Sequence, residues 1–404
     1  PKPKTQNPKP KTQNPKPKTQ IIKMIQHTSK LPNVGTTIFT VMSQLAAKEN
    51  AINLSQGFPN FPSDPKLIEM VQQALRENHN QYAPMPGAAV LREAIAEKME
   101  YLYQRKYNPD SEVVVTVGAT EAIFSIISAF IRPNDEVIIF TPAYDCYAPA
   151  VNVHGGKVIP IQLKGKEFAM DWDEVRSKIS SKTKLMIINT PHNPSGTVLS
   201  KADMLELSSI LENTDIILLS DEVYEHIVFD GEQHQSAALF PKLAERTFIT
   251  ASFGKTFHNT GWRIGYCVGP KELMNEFKKV HQFNVFSVHH PTQIAIGRYL
   301  QHPENYLQLP AFFQEKRDFF LNAIKGSRFT WKPSQGTYFQ VLSYENITDE
   351  RDTEYAKRLT REHKIASIPL SVFNTNKEDH KLLRFCFAKT EETLAKAAQI
   401  LNRI

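Results

Sequence analysis

Seven short β-rich runs between about residues 110 and 270 constrain the fold more than any other feature of the sequence. Several are apolar on both faces, as strands of a covered parallel sheet must be, and helical patterns such as 121–131 and 202–212 lie between some of them. The alternation predicts an α/β fold with a mostly parallel seven-stranded sheet in three layers. The last two runs are joined too closely for a crossover helix, so we expect one of them to run antiparallel. The runs are 113–117, 136–140, 157–163, 184–190, 215–220, 247–252 and 263–269.

The pattern changes after about residue 290, where long helical stretches are followed by only a few strands. This predicts a smaller α+β domain, completed by an N-terminal segment. Its predicted elements are helices at about 292–302 and 310–325, a hairpin-like run at 336–342, a helix near 353–363, a strand at about 382–388 and a final helix from about 390. The predicted organisation is an arm over 1–28, a segment of the small domain over 29–60, a large domain over 61–295 and the small domain over 296–404.

The first 20 residues repeat the unit Pro-Lys-Pro-Lys-Thr-Gln-Asn almost three times and carry six lysines but no acidic residue. Alternating proline and lysine forms neither a ladder nor a helix, so we predict an extended, disordered arm. These lysines account for the whole net charge of +6, which leaves the rest of the chain formally neutral. The body of the protein therefore has no bulk electrostatic reason to bind nucleic acid. A natural tail, an added segment and a weak polyanion-binding arm all stay open.

No apolar run approaches the roughly 20 residues that a membrane span needs, and no secretory leader is visible. The three cysteines, Cys146, Cys267 and Cys386, lie far apart and form no CxxC pair. This spacing argues against a disulfide framework or a structural zinc site, so we expect no metal. Together these features favour a cytoplasmic protein that does not contact a membrane.

Polar or small residues follow several of the predicted strands, and ligands gather at the carboxyl ends of strands in open α/β sheets. After the first strand, Gly118, Ala119 and Thr120 open a helix, where backbone N–H groups can approach an anion such as a phosphate. A plain strand-to-helix turn is the alternative. After the fourth strand, Asn193 lies in a loop fixed by two prolines and a glycine, and its amide can donate to a phenolate oxygen. A turn that merely suits asparagine is the alternative.

The fifth and sixth strands are followed by charged residues. Asp221 ends an apolar strand, where a buried carboxylate needs a cationic partner such as a protonated ring nitrogen. A helix N-cap is the alternative for Asp221. Tyr224, three residues later, could reach the same ring. Lys255 follows small residues, so its pKa can be lowered and its amine can attack an aldehyde. Ser252 and Arg263 flank it and suit a phosphate dianion. Four strand ends together predict a site for a ligand that carries an aldehyde and a phosphate.

Three segments carry a family resemblance. Asn193-Pro-Ser-Gly196, Asp221-Glu-Val-Tyr224, and Ser252-Phe-Gly-Lys255 with Arg263 after it resemble the fold-type-I, class-I aminotransferases. The order and spacing of further segments also resemble that family, from about Leu31 to the C-terminus. These segments are 81–87 with 91–92, 142–144 and 384–387. Within the family, the segments 29–32, 35–40, 53–59 and 368–371 resemble bacterial methionine aminotransferases, followed by the kynurenine and glutamine transaminases.

The resemblance implies pyridoxal 5'-phosphate as cofactor, bound covalently to Lys255, which also moves the α-proton of the substrate. It implies that Asp221 keeps the pyridine nitrogen protonated, so that the ring withdraws electrons. Tyr224 and Asn193 would hydrogen-bond the phenolate oxygen of the cofactor. Tyr144 would stack on the ring.

The phosphate would be held by Ser252, Arg263 and the backbone at 118–120. The resemblance further implies that Tyr82 reaches a phosphate across a subunit interface, which makes the active unit a homodimer.

Arg384 is the implied clamp for the substrate α-carboxylate, helped by Asn193 and the backbone near Gly57; an ordinary surface arginine is the alternative. Relatives specific for dicarboxylates place a second arginine in the segment that corresponds to 280–291, which has none here. Aspartate is therefore a poor amino donor. Four phenylalanines could instead line an apolar pocket, with core packing as the alternative for each: Phe39, Phe58, Phe283 and Phe286.

The predicted reaction is ping-pong transamination between a hydrophobic or aromatic L-amino acid, methionine above all, and a 2-oxo acid, with pyridoxamine phosphate as the intermediate form of the cofactor. Phenylalanine, tyrosine, kynurenine and glutamine are further expected donors. A cysteine-S-conjugate β-lyase is an alternative, because it would use the same site residues. A pyridoxal-phosphate-binding regulator is a second alternative, but the short arm leaves no room for the helix-turn-helix domain that such proteins carry.

Overall fold

The structure, a computed structural model, describes residues 28–404. The arm predicted over 1–28 lies outside the described residues except for Thr28. Helix α1 begins where the Thr37 hydroxyl accepts from the backbone N–H of Thr40, a cap typical of helix starts. The first elements are α1 (Ile38–Lys48), β1 (Ile52–Asn53), α2 (Pro65–Arg76) and α3 (Ala89–Tyr103).

The predicted seven-stranded sheet is present, and each predicted run overlaps one of its strands. The strands in chain order are β2 (Val113–Thr116), β3 (Glu136–Thr141), β4 (Lys157–Gln162), β5 (Thr183–Asn189), β6 (Ile217–Asp221), β7 (Thr247–Ser252) and β8 (Gly265–Val268). Strands β3, β5 and β6 each extend one residue beyond the predicted run. Across the sheet their order is β2-β8-β7-β6-β5-β3-β4. Strand β8 is antiparallel to both neighbours, and the remaining pairs are parallel. The predicted fold class is confirmed, and the antiparallel strand is the seventh.

Successive residues of these strands face two separate apolar cores. In β2, Val113 and Val115 join the larger core and Val114 joins the smaller one, as the two-residue period of a strand requires. Helices cover both faces and complete the three layers. Those in this region are α4 (Gly118–Phe130), α5 (Tyr147–Val153), α6 (Trp172–Lys178), α7 (Lys201–Leu211), α8 (Pro241–Ala244), α9 (Phe253–Thr256), α10 (Lys271–Asn284) and α11 (His290–Leu300).

The carboxyl ends of β2, β5, β6 and β7 meet at one edge of the sheet. Strands β5, β6 and β7 are parallel neighbours, and β2 points the same way because β8 separates it from β7 as an antiparallel strand. Asn189 pairs with Asp221 in register, and Asp221 pairs with Thr250. The polar residues that follow these strands in the sequence are therefore neighbours in space.

The C-terminal part contains a second, antiparallel sheet of order β11-β12-β9. The predicted hairpin at 336–342 is wrong: one strand begins at Phe339, since Thr337 has a left-handed φ of 65°, and it pairs with β12. The elements here are α12 (Glu304–Leu307), α13 (Leu309–Ala323), β9 (Phe339–Ser343), α14 (Asp352–Glu362), β10 (Ile365–Ala366), β11 (Ile368–Pro369), β12 (Leu382–Cys386) and α15 (Glu391–Leu401).

Strand β1 pairs in parallel with β10, which joins an N-terminal strand to the C-terminal part of the chain. The domain bounds at residues 60 and 295 stay a prediction. None of the helices formed by residues 28–404 has the length and apolar character needed to cross a bilayer. The same residues contain no group of three or more His, Cys, Asp or Glu side chains placed to hold a metal ion.

Candidate active site

A cavity of about 290 Å³ lies at the edge of the large sheet where the four strands end. It contains most of the residues that the sequence predicted as functional. Those residues are Phe39, Gly57, Ala119, Thr120, Tyr144, Asn193, Asp221, Tyr224, Ser252, Lys255, Arg263 and Arg384.

Lys255 lies on the short helix α9, directly after β7. Its Nζ atom donates to the carbonyl oxygen of Gly57 at 3.2 Å and lies 5.9 Å from the ring centre of Tyr224. Removal of the amine from water lowers the pKa of Lys255 to about 8, because burial disfavours the charged form. A neutral amine is thus available at only slightly alkaline pH, as attack on an aldehyde requires.

Asp221 ends β6 and is 3% exposed. Burial raises the pKa of its carboxyl group to about 6. Its Oδ2 atom accepts from the hydroxyl group of Tyr147 at 2.5 Å, and its Oδ1 atom accepts from the backbone N–H of Val223 at 3.3 Å. Among the described residues, no cationic side chain hydrogen-bonds to this carboxylate. A cationic ligand group would stabilise its charged form.

The first turn of α4 and Arg263 form a cradle suited to an anion. Gly118 has a left-handed φ of 70°, and a Cβ atom built there would lie 2.7 Å from Nη2 of Arg263. A side chain at this position would therefore push the guanidinium aside. The backbone at Ala119 and Thr120 lies at the positive end of the helix, and Ser252 lines the same cavity. Helix N–H groups, a guanidinium and a hydroxyl group are the donors that bind phosphate.

Arg384 is central in β12 and is 1% exposed, which contradicts the alternative of a surface arginine. Its Nη1 atom donates to Oδ1 of Asn193 at 2.6 Å, and Nη2 donates to the carbonyl oxygen of Ser55 at 3.1 Å. The guanidinium carbon lies 3.8 Å from the ring centre of Phe339 and 5.3 Å from that of Phe39. Burial lowers the pKa of Arg384 to about 10, so it remains a cation at neutral pH. Its Nε atom is buried and has no hydrogen-bond partner among residues 28–404.

Asn193 is positioned by the residue that ends β5. The side-chain oxygen of Asn189 accepts from the backbone N–H of Asn193 at 2.8 Å, and the Nδ2 atom of Asn189 donates to the backbone oxygen of Asp221 at 2.8 Å. The peptide bonds before Pro191 and Pro194 are cis. One asparagine thus fixes the ends of two neighbouring strands relative to each other.

Two tyrosines line the cavity, and a third contacts the backbone of Gly57 behind it. Tyr144 is half-buried, and its ring lies 5.8 Å from that of Tyr147. Tyr224 is buried, which raises the pKa of its hydroxyl group far above the ordinary value. Tyr338 donates to the carbonyl oxygen of Gly57 at 2.5 Å. The carbonyl group of Gly57 is therefore shared by Tyr338 and the amine of Lys255.

Tyr82 and three of the four phenylalanines considered lie outside the cavity. Tyr82 is 79% exposed and lines a separate surface hollow with 287–291. Phe58, Phe283 and Phe286 are also exposed, so core packing is contradicted for them. Of the four phenylalanines considered, Phe39 alone lines the cavity.

The sequence interpretation missed several residues of the site. Ile123, Val223 and Phe339 supply apolar wall, and no local pattern marks them. Asn189 ends a predicted strand, and Tyr147 follows Tyr144 by three residues, so their positions carried a usable signal. The remaining missed residues are Gln56, which lines the cavity, and Tyr338, which contacts Gly57.

Comparison with known proteins identifies the family of this chain. Residues 49–401 match the family described as Aminotransferase class I and II. The chain belongs to this family. It is an aminotransferase, and it uses pyridoxal phosphate.

Relatives of this aminotransferase are similar over nearly their whole length. It is 48% identical over 377 residues to the methionine aminotransferase of Escherichia coli strain K12, covering 93% of this chain and 98% of that protein. It is 32% identical over 408 residues to kynurenine–oxoglutarate transaminase 3 of Homo sapiens, covering 93% and 90%. The crystal structure of YbdL from Escherichia coli, a protein with an identified methionine aminotransferase function, matches with a TM-score of 0.92 at 47% identity, covering 94% and 100%.

The residues of the aminotransferase site fit pyridoxal phosphate. Lys255 offers an amine with a lowered pKa, Asp221 offers a buried carboxylate without a cationic partner among the described residues, and at Gly118 the Arg263 guanidinium lies where a side chain would otherwise be, next to the N-terminus of α4. When bound, the cofactor supplies an aldehyde carbon for exchange of the amino group and a ring that withdraws electrons.

Proposed function

We propose that this aminotransferase transfers the amino group of L-methionine, and of aromatic and other apolar L-amino acids, to a 2-oxo acid. The observation that carries the proposal is the contact of the Arg384 guanidinium with the rings of Phe39 and Phe339. An amino acid whose α-carboxylate is bound by this arginine therefore has its side chain next to an apolar surface. The relatives named for methionine and kynurenine support the same substrate class. Glutamine stays a further expected donor.

The cations of the cavity support an uncharged substrate side chain. Among the described residues, three cationic side chains line it: Lys255, Arg263 and Arg384. In our proposal Lys255 and Arg263 serve the cofactor, and Arg384 binds the substrate α-carboxylate bidentately. No cation is then left among these three for a second carboxylate, whose burial without a partner is costly.

The proposed roles of the remaining residues follow from their positions. Asp221 faces the ring nitrogen of the cofactor and keeps it protonated. Asn193 and Tyr224 bind the phenolate oxygen, and Tyr144 stacks on the ring. The Nζ atom of Lys255 would take the proton from the α-carbon of the substrate and later release it. A pKa of about 8 suits a group that both accepts and releases a proton near neutral pH.

The phosphate group is proposed to bind to Ser252, to Arg263 and to the backbone of 118–120. We further propose a homodimer in which Tyr82 reaches the phosphate of the partner subunit. The support is the exposure of Tyr82 and of Phe283, whose exposed fractions are 79% and 86% in one protomer. Tyr82 also packs against the exposed ring of Phe286, with the ring centres 5.1 Å apart, and a patch of exposed aromatic side chains is typical of a surface that another chain covers.

We also propose a cytoplasmic location. Its support is the three cysteines, all of which are free and two of which are buried, as is usual for proteins of a reducing compartment. Enzyme activity confined to a periplasmic or membrane fraction after cell fractionation would contradict this location.

The substrate proposal is tested by mixing the purified holoenzyme with L-methionine and no 2-oxo acid. The visible absorption of the bound cofactor should disappear in one turnover and return when a 2-oxo acid is added. L-Phenylalanine and L-kynurenine should act similarly and L-aspartate far more slowly. If only aspartate or glutamate bleaches the band, the proposed substrate class is wrong. Release of ammonia and pyruvate from a cysteine S-conjugate would instead reveal the β-lyase alternative.

A further inference from the structure

Tyr147 makes the shortest contact to the carboxylate of Asp221. Its hydroxyl group donates to Oδ2 at 2.5 Å, and the two residues are each 3% exposed. Tyr147 is the first residue of α5, three positions after Tyr144, which lines the cavity. One segment therefore provides a wall of the cofactor cavity and a partner for the carboxylate behind it.

The direction of this hydrogen bond is fixed. Burial, and then the nearby Asp221, raise the pKa of Tyr147 well above its ordinary value, so the phenol keeps its proton and donates. The other titratable groups that act on Asp221 are Glu222, which raises the pKa of its carboxyl group, and Lys255, which lowers it. A hydrogen bond to the charged form of a carboxylate favours ionisation. The phenol thus opposes the effect of burial on Asp221.

Two contacts hold the start of the segment that carries Tyr147. The backbone N–H of Ala143 donates to the carbonyl oxygen of Phe373 at 2.9 Å, and Nε2 of His192 lies 3.0 Å from the carbonyl oxygen of Pro142. Burial lowers the pKa of His192 to about 4, so this ring is neutral at physiological pH. Tyr147 itself is packed in the smaller apolar core, so its phenol has little freedom to turn away from Asp221.

We propose that Tyr147 is a positioning residue that keeps the Asp221 carboxylate ionised and pointed at the ring nitrogen of pyridoxal phosphate. The inference rests on the proposed role of Asp221 and deepens it. Without the phenol, Asp221 holds a proton more readily and holds the ring nitrogen less firmly in its charged form. The ring then withdraws electrons less effectively, and removal of the α-proton slows.

The test uses Tyr147→Phe in the holoenzyme, which removes one oxygen atom and keeps the ring. The matched control is Tyr103→Phe: Tyr103 is also a buried tyrosine and donates at 2.6 Å to a buried carboxylate, that of Glu225, outside the cavity. We expect Tyr147→Phe to lower kcat about tenfold while KM for methionine changes by less than about twofold, because a hydrogen bond to a charged group has been lost away from the substrate. Tyr103→Phe should leave both constants close to wild type.

A spectroscopic titration separates positioning from a merely structural role. The pH midpoint of the cofactor's visible absorption should rise in Tyr147→Phe. The reason is that less positive charge on the pyridine ring raises the pKa of the Lys255 nitrogen bound to the cofactor. Asp221→Asn should move the midpoint further in the same direction. If Tyr147→Phe leaves the midpoint and kcat unchanged, or moves them no more than Tyr103→Phe does, while Asp221→Asn shifts both, the inference about Tyr147 is wrong. If Asp221→Asn changes neither the midpoint nor kcat, the proposed role of Asp221 is wrong, and the inference about Tyr147, which rests on it, is wrong as well.

Discussion

Lys255 shows how the surroundings of a common side chain change its pKa and reactivity. The amine sits beside the carbonyl oxygen of Gly57 and loses most of its contact with water, which lowers its pKa to about 8. Only the neutral amine attacks an aldehyde. The cofactor-free protein should therefore capture pyridoxal phosphate faster as the pH rises towards 8, about tenfold per unit, and then level off.

Stopped-flow absorbance after mixing cofactor-free protein with pyridoxal phosphate, from about pH 6 to pH 11, measures this dependence. Lys255→Ala should show no covalent capture at any pH. A capture rate that keeps rising until the ordinary lysine pKa of 10.5 would show that burial does not perturb this amine.

Single residues of the site could be predicted when chain order alone places them. Asn193, Asp221 and Lys255 each follow a strand, and parallel strands bring their carboxyl ends together whatever the details of packing. The hydrogen bond from Tyr147 to Asp221 depends on the direction in which α5 leaves β3, which no local pattern encodes. The rings of Phe39, Phe339 and Phe373 lie around Arg384 and come from α1, from β9 and from the stretch between β11 and β12, so their meeting is a tertiary property.

At the scale of elements, a buried ion pair connects helix α3 to the loop after β6. Nζ of Lys98 lies 2.6 Å from Oε1 of Glu225, and both side chains are less than 5% exposed. Burial alone would raise the pKa of Glu225, but the surrounding groups, Lys98 first among them and the hydrogen bond from Tyr103 included, together hold this pKa well below the usual range. The same lysine also donates to the hydroxyl oxygen of Tyr266. The pair therefore joins α3 to this loop in the interior of the protein, outside the lining of the cavity.

Lys98→Met should lower the free energy of unfolding by about 3–5 kcal/mol, because it leaves a carboxylate buried without its cation. Urea denaturation followed by circular dichroism measures this loss. Lys106→Met is a matched control, since its partner Glu100 is half exposed and its own side chain is 82% exposed, and such pairs contribute little. The double variant Lys98→Met/Glu225→Leu should recover much of the loss. A loss in Lys98→Met no larger than in the control would contradict the importance of the pair.

Among the elements, those with a strong repeating pattern could be predicted and those defined by a distant partner could not. The strands of the large sheet are apolar on both faces, and their runs end where polar residues begin. In contrast, β1 and β10 have two residues each and exist only because they pair with each other across more than 300 positions. The predicted hairpin failed for a similar reason: β9 pairs along its whole length with the distant strand β12, and its backbone pairing with the preceding chain is a single bridge from Ser343 to Thr330.

At the scale of the whole molecule, the proposed homodimer makes a prediction that mixing experiments can test. If Tyr82 serves the partner's phosphate, protomers with Lys255→Ala and protomers with Tyr82→Ala should complement each other. In the hybrid, the site with an intact Lys255 receives Tyr82 from the other protomer. Unfolding and refolding the two variants together should give a species with about half the wild-type activity, one complete site of two.

Each variant refolded alone is the control for the mixture: Lys255→Ala should be inactive, and Tyr82→Ala should bind pyridoxal phosphate more weakly. A mixture no more active than the average of the two variants would show that Tyr82 does not cross between subunits. Sedimentation velocity of the unmodified protein at assay concentration checks the dimer independently.

The separation of the two sheets has an evolutionary consequence. In our proposal, the residues of this chain that serve the cofactor come from the ends of β2, β3, β5, β6 and β7 and from the loops that follow, whereas Arg384, Phe39 and Phe339 come from β12, α1 and β9. Mutations that reshape the substrate wall therefore leave the cofactor chemistry intact, so new amino acid preferences can be tried without passing through inactive ancestors. Related proteins can therefore diverge by mutation of the substrate-binding half of the site while the cofactor-binding half stays the same.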